Sequence, residues 1–460
     1  MPRETADVVI CGAGIAGISA AYHLALKHGL DKVVLVDERP PLSLTSDKST
    51  ECYRNWWPGP GNAMVSLMNR SIDIMEELAH QTGNVFHLNR RGYLFVTTDP
   101  ARIPDFKRAA EEAAELGAGP ARYHTGQSEE PAYVPAPAQG FEDQPTGADV
   151  ILDPGLLRQH FPYLSERAIA AVHARRAGWF SAQQLGMAML DKARERGARL
   201  LEARVEGVQV EGDRVQAVHL SGRDGSTSIS TSNFVNAAGP FLAQVGQMVG
   251  VELPVFHECH VKVAINDHLG IVPREAPMII WTDPQYLPWS ADERVALAES
   301  DETRWLLDEF PVGVHARPEG GPDSSILLIL WTYDMDPVEP VFPITYDPYY
   351  PEIVLRGLAT AIPSLEAYFD RMPKPALDGG YYTKTQENRP LVGPLPVEGA
   401  HIIGALSGFG LMAAPASGEL LAAHLTGSEL PHHAPAFALE RYEDPAYQEL
   451  LKNWSASGQI

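Results

Sequence analysis

The stretch Val8-Val9-Ile10-Cys11-Gly12-Ala13-Gly14-Ile15-Ala16-Gly17 constrains this chain more than any other. Four apolar residues read as a buried strand. The Gly-x-Gly-x-x-Gly that follows reads as the turn opening a dinucleotide-binding helix, expected from Ile15 to about Lys27. Gly12 permits the tight turn, Gly14 lets the backbone approach a pyrophosphate, and Gly17 lets the helix pack closely on the strand. The phosphates would sit on the positive helix N-terminus. A second apolar strand, Val33-Val34-Leu35-Val36, ends at Asp37, twenty positions after Gly17. A carboxylate there can take both ribose hydroxyls, which favours NAD or FAD over NADP. A glycine-rich turn in another α/β protein is the competing reading of the glycines alone. The order strand, glycines, helix, strand, acid argues against it.

At 460 residues the chain is long enough for two domains with a large core. Its formal charge of −23 repels nucleic acid and anionic membrane surfaces. Cys11, Cys52 and Cys259 make no metal-ligand or Cys-x-x-Cys spacing, so no metal is expected and a reducing cytoplasm is the natural compartment. The strand, glycine and helix pattern starts at residue 6, so no signal peptide is expected. No apolar run approaches the roughly 18 to 20 residues that cross a bilayer.

Met64, Leu67, Met68, Ile72, Met75 and Leu78 recur at helical spacing, and their methionines read as core. A strand is expected from Gly92 to Thr98. Residues 117–147, rich in proline and acids, show no period and read as a long surface loop or lid. Short strands with charged turns follow, at Ala203 to Val210 and Arg214 to Leu220. A strand from Ile229 to Asn236 leads into Ala237-Ala238-Gly239-Pro240. A helical insertion spans Ala291 to Glu309. A strand at His401 to Ala405 enters the glycine turn Ser407-Gly408-Phe409-Gly410 and a small-residue helix, Ala413 to Leu425.

Four separated motifs then carry a resemblance to the flavin-dependent family that includes D-amino acid oxidase, glycine oxidase, sarcosine oxidase and dimethylglycine dehydrogenase. They are the fingerprint ending at Asp37, the loop Thr45-Ser46-Asp47-Lys48-Ser49-Thr50, the strand end Phe234 to Pro240, and the pair Gln386 to Pro394 with Gly404 to Met412. The resemblance implies an α/β fold: a discontinuous, Rossmann-like FAD-binding domain and an α+β substrate domain built on a large antiparallel sheet. The expected segments are 1–88, 155–252 and 374–430 for the first, 89–154 and 253–373 for the second, and 431–460 for a C-terminal tail. It also implies FAD contacts at Gly12, Gly14, Ile15, Ala16, Gly17, Asp37, Glu38, Thr45, Ser46, Lys48, Ser49, Thr50, Val205, Ala238, Gly239, Arg389, Gly408, Phe409, Gly410, Leu411 and Met412. The bland alternative is that these glycines only close strand-to-helix turns.

Departures from the family pattern bear on the substrate. The cysteine that tethers flavin in monomeric sarcosine oxidases is Gly380 here, and the tethering histidine of dimethylglycine dehydrogenase-like relatives falls near Lys48. FAD is therefore expected to be noncovalent, with Cys52 as a reservation. Basic residues that hold small substrate carboxylates are replaced near Trp57 and Leu411-Met412, although Arg54 survives. Trp56, Trp57, Phe409, Leu411 and Met412 would make an apolar wall that suits a bulkier amine, because an unpartnered carboxylate is costly to bury. The opposing reading takes the Trp pair as packing and draws the carboxylate ligand from Arg317, Lys384 or His260. Arg54, Lys384, Trp57 and Met412 are the candidate catalytic residues, and His257, His260 and His315 are candidate bases. The strand Ser325 to Trp331 lacks the lysine that promotes oxygen chemistry in sarcosine oxidases, while Lys262 or Lys384 could reach the ring from another strand. A small-molecule amine, an electron acceptor (oxygen or another carrier) and a possible oligomer are the expected partners. A flavin-dependent 2-hydroxyacid or polyol dehydrogenase, or an FAD-binding subunit of a hetero-oligomer, are the alternatives.

Overall fold

The computed structural model describes residues 4–223 and 225–454. Val8–Cys11 is buried at every position, as expected of a central parallel strand covered on both faces. It lies in a nine-stranded sheet whose order is Glu4–Thr5, Gly225–Ser230, Arg214–Gly222, Arg199–Glu211, Val33–Asp37, Val8–Cys11, Phe234–Asn236, Ala400–Gly404, Leu391–Pro394. The five inner strands from Arg199 to Ala400 pair in parallel. The chain moves outward one way from Val8–Cys11 to Val33–Asp37 and the other way to Phe234–Asn236. Their shared edge is therefore a topological switch point, with a crevice at the strands' carboxyl ends. The helices Ile15–Leu26, Ala63–Thr82, Ala182–Glu195 and Gly410–Thr426 pack together beside this sheet.

The second nine-stranded sheet runs Ala376–Lys384, Phe256–Asn266, Ile326–Leu330, His315–Glu319, Met278–Trp281, Tyr93–Thr97, Ala170–Ala174, Ala148–Ile151, Ala121–His124. It is mixed rather than wholly antiparallel: Met278–Trp281 pairs in parallel with Tyr93–Thr97, and Ala121–His124 with Ala148–Ile151. Alternation along Tyr93–Thr97 sends Tyr93 and Phe95 into the core shared with the first sheet's helices. Leu94 and Val96 enter a separate core under the helix Tyr350–Ala361.

Several sequence expectations are corrected. Residues 117–147 are not all loop, because Ala121–His124 is an edge strand. Four residues, of which only His124 is buried, are too few to show a period. The expected strand Ile229 to Asn236 is two strands, broken where the Thr231 hydroxyl accepts the Asn233 N–H at 3.1 Å. The helical insertion is a helix, Ala291–Ala298, and a separate 3-10 turn, Arg304–Leu307. Ala170–Ala174 and Ala376–Lys384, which fall in the segments expected for the flavin domain, pair in the second sheet. The segment after 431 folds back: buried Arg441 pairs with buried Glu387, whose carboxylate also accepts from the hydroxyls of Tyr442 and Tyr447.

Candidate functional site

The crevice at the switch point opens into a cavity of about 390 Å³ lined by Gly12, Gly14, Asp37, Glu38, Thr45 and Val205, among others. A smaller lobe of about 90 Å³ shares Gly14, Thr45, Ser46 and Gly239 with it, and continues to Tyr381, Tyr382, Gly408 and Leu411. The two form one trough from the end of the strand Val33–Asp37 to the start of the helix Gly410–Thr426.

Backbone geometry explains the glycines at its floor. Gly12 has φ +114° and a Cβ there would overlap the carbonyl oxygen of Ala237, while one at Gly17 would overlap that of Gly12. Asp37 accepts the Ala13 N–H at 2.8 Å and the Arg39 N–H at 3.0 Å, which fixes the glycine turn against the second strand. Ser46 Oγ accepts the N–H of Ile15 at 3.0 Å, so the loop after the second strand is pinned to the helix N-terminus. At the other end Ala405 and Ser407 hold φ +51° and +50°, left-handed values for non-glycine residues. Such strain concentrates where a ligand is bound.

Of the residues singled out in the sequence, Gly12, Gly14, Asp37, Glu38, Thr45, Ser46, Val205, Ala238 and Gly239 line the main lobe. Ile15, Ala16, Ser49, Gly408, Gly410 and Leu411 line the smaller one. Gly17 lies beneath the turn. Lys48 points at Asp47 (2.8 Å) and Asp378 (3.2 Å). The Thr50 carbonyl accepts from Arg317 at 2.7 Å. Arg389 is placed elsewhere, donating to the Pro60 carbonyl at 2.6 Å with its guanidinium 4.6 Å from the Trp454 ring.

Arg54, Trp57, Phe409 and Met412 come together beside the smaller lobe. The Arg54 guanidinium lies 4.5 Å from the Trp57 ring and 5.7 Å from Tyr93, Trp57 meets Phe409 edge-on at 4.9 Å, and Met412 Sδ accepts the Arg54 N–H at 3.4 Å. Burial pulls the guanidinium below its ordinary pKa. Lys384 does not join them. Its ammonium contacts both oxygens of Glu258 (2.9 and 3.0 Å), whose carboxylate also binds His260 Nε2 at 2.9 Å. Burial raises Glu258, but these two partners outweigh it and hold the carboxyl below its usual range. His260 stacks on Tyr382 at 3.9 Å and is pushed down by burial. Lys262 donates to the carbonyls of Asp47 (3.2 Å) and Ser49 (2.8 Å), so the second sheet grips the loop that lines the trough. Arg39, Phe241, Phe342 and Tyr381 also line the trough and carry no motif. Only the fold brings them there.

The family described as FAD dependent oxidoreductase (DAO) matches residues 7–424. The chain belongs to this FAD-dependent oxidoreductase family. Human mitochondrial dimethylglycine dehydrogenase is 25% identical over 327 residues, 68% of this chain and 33% of the relative. The chain thus spans about a third of that relative's length. The bovine FAD-dependent oxidoreductase domain-containing protein 1 is 24% identical across 92% of this chain and 81% of its own. L-proline dehydrogenase from P. horikoshii shares the fold, with a TM-score of 0.71 at 21% identity over 96% of this chain and 98% of that one.

FAD is the family's cofactor, and the residues present fit it. A Cβ at Gly12 would run into the Ala237 carbonyl, so glycine is required where the turn forms the floor of the trough, and the trough continues from there to a second helix N-terminus. Ser407 Oγ and Trp57 Nε1 are buried without a hydrogen-bond partner near the start of the helix Gly410–Thr426, where a bound polar group can supply one. Among the described residues no helix is long and apolar enough to cross a membrane.

Proposed function

We propose that this chain oxidises a secondary or tertiary amine or N-alkyl amino acid bulkier than sarcosine. FAD, when bound, supplies the hydride acceptor at its N5. We assign Asp37, Glu38 and Val205 to the adenosine end, and the helix N-terminus at Gly14 and Ile15, with Ser46, to the pyrophosphate. Thr45 and Ser49 flank the ring, and the helix that starts at Gly410 offers its positive end to the ring edge, where negative charge gathers on reduction. This reading takes the first sheet and its helices as the cofactor side and the second sheet as the substrate side.

The observation that carries the substrate assignment is how the cations are committed. Arg317 donates to the Thr50 carbonyl and pairs with Glu51 and Glu319, and Lys384 pairs with Glu258. Neither offers an open position to a substrate carboxylate. Beside the flavin lobe stand Trp57, Phe409, Leu411 and Met412, with Arg54 the cation packed on that wall. Such a site favours apolar N-substituents and tolerates one carboxylate at most. Relatives named for dimethylglycine and L-proline fit this reading, since both names denote N-alkylated amino acids.

Anaerobic reduction of the bound flavin, read photometrically against amines, amino acids and hydroxy acids, tests it. Larger N-alkyl amines are expected to bleach the flavin fastest, with glycine, sarcosine and D-alanine slow. Efficient reduction by sarcosine at low KM rejects the assignment, and reduction by hydroxy acids alone moves the chain to alcohol chemistry.

A further inference from the structure

Between the strand Ile326–Leu330 and the helix Tyr350–Ala361 the chain runs through residues 331–349 without regular structure. Pro337, Pro340, Pro343 and Pro348 stiffen this stretch by fixing φ and removing donors. It is nonetheless held at defined points. The Val338 N–H donates to the His257 carbonyl at 2.8 Å. The Tyr381 hydroxyl clasps Val341 from both sides, donating to its carbonyl at 2.7 Å and accepting its N–H at 3.0 Å. The clasp sets the next residue, Phe342, into the lining of the main lobe.

There Phe342 meets the opposite rim. Its ring lies 5.9 Å from Phe241, which follows the first-sheet strand Phe234–Asn236. The Arg39 guanidinium, just after Val33–Asp37, stands 5.5 Å from Phe342 and 5.6 Å from Phe241. Phe342 also packs edge-on to Tyr381 at 5.3 Å. A segment that leaves the second sheet thus touches, across the trough, residues that follow two strands of the first sheet. Its outer side is open to water: Met335 is 60% and Val341 64% exposed.

We propose that residues 332–349 form a strap that gates FAD exchange, with Phe342 as the latch against Phe241 and Arg39. The proposal rests on the trough being the FAD site. An extended dinucleotide filling both lobes leaves only when the aromatic contact between the rims opens. Opening requires the Tyr381 clasp or the Phe342 contact to break, and does not require either sheet to unfold. The latch is expected to slow entry as well as release, which separates a gate from an ordinary contact with the bound cofactor.

Release of FAD from the holoenzyme, followed by flavin fluorescence after dilution, and uptake of FAD by the apoprotein, followed by quenching, test the idea. Phe342→Ala is expected to speed both rates by about tenfold, the scale of one lost aromatic contact, with Kd changing less than either rate. Tyr381→Phe keeps the ring and removes the clasp, and should speed both rates too. If Phe342→Ala does not fold, Phe342→Leu and Tyr381→Phe carry the same comparison. Unchanged release overturns the strap, and so does faster release with unchanged uptake. A wild-type chain that takes up no FAD overturns the cofactor assignment together with the strap, whereas a wild type that binds FAD with unaltered variant rates overturns the strap alone.

Discussion

Asp37 commits both carboxylate oxygens to backbone N–H groups, those of Ala13 and Arg39, so its position is fixed independently of any ribose. An acceptor held that rigidly loses little entropy on binding. Asp37→Ala is expected to weaken FAD binding by roughly ten- to a hundredfold, the range of hydrogen bonds to a charged group, with chemistry restored at saturating FAD. A flavin titration giving unchanged affinity would contradict the assignment. Residue chemistry also argues for noncovalent FAD. The resemblance puts the two usual tether positions at Gly380 and near Lys48, and these two residues face each other: a Cβ on Gly380 would stand 3.0 Å from that of Lys48. Cys52, the nearby thiol, donates to the Thr50 carbonyl at 3.2 Å, and burial pushes its pKa up, which disfavours the reactive thiolate. Acid precipitation should release the yellow colour into the supernatant. Colour retained in the pellet would point to Cys52.

At the scale of elements, the acceptor question turns on two adjacent strands. Ile326–Leu330 carries no lysine, but its partner Phe256–Asn266 sets Lys262 directly opposite Leu330. That ammonium is engaged by the carbonyls of Asp47 and Ser49, and burial lowers its pKa; the other candidate, Lys384, is neutralised by Glu258. Neither offers an uncommitted positive charge to a forming superoxide. Reoxidation of the reduced enzyme by air-saturated buffer is therefore expected to lag behind turnover on its best substrate. Stopped-flow reoxidation that keeps pace with turnover makes the protein an oxidase. Lys262 shows the limit of strand-by-strand reading. The sequence displays a lysine in a β-rich region, and only register puts it against the loop that carries Asp47 and Ser49. The glycine turns were legible because each needs a residue type at a fixed local spacing. Glu258, Lys384 and His260 were not legible as a network, because the strand pairing that joins them spans residues 258 to 384.

For the whole molecule, order along the chain exposed the parallel sheet and its helices, whose periods are local. It concealed the membership of Ala170–Ala174 and Ala376–Lys384 in the second sheet, since the sheet a strand joins is set by pairing with segments distant in the chain. It also concealed the burial of histidines in both halves. His23 and His401 belong to the first sheet and its helices, His173 and His315 to the second sheet. Burial is the main cause that pushes His23 and His173 down to about 3 and His315 and His401 to about 4. In the unfolded chain each titrates near 6.5. Their contribution to stability is thus fully present above about pH 6.5, and it is lost as pH falls toward the folded values, because the unfolded state takes up protons that the folded state refuses. Each can cost up to about 1.4 kcal/mol per pH unit. The excess of acids, a formal −23, enters only as carboxylates titrate, below about pH 5. The interval from about pH 6.5 to 5 therefore isolates the histidines. Thermal unfolding of the holoenzyme is expected to show a Tm that is level from pH 7.5 to 6.5 and falls steadily to pH 5, and a Tm that stays level to pH 5 would mean that these histidines are protonated in the folded chain.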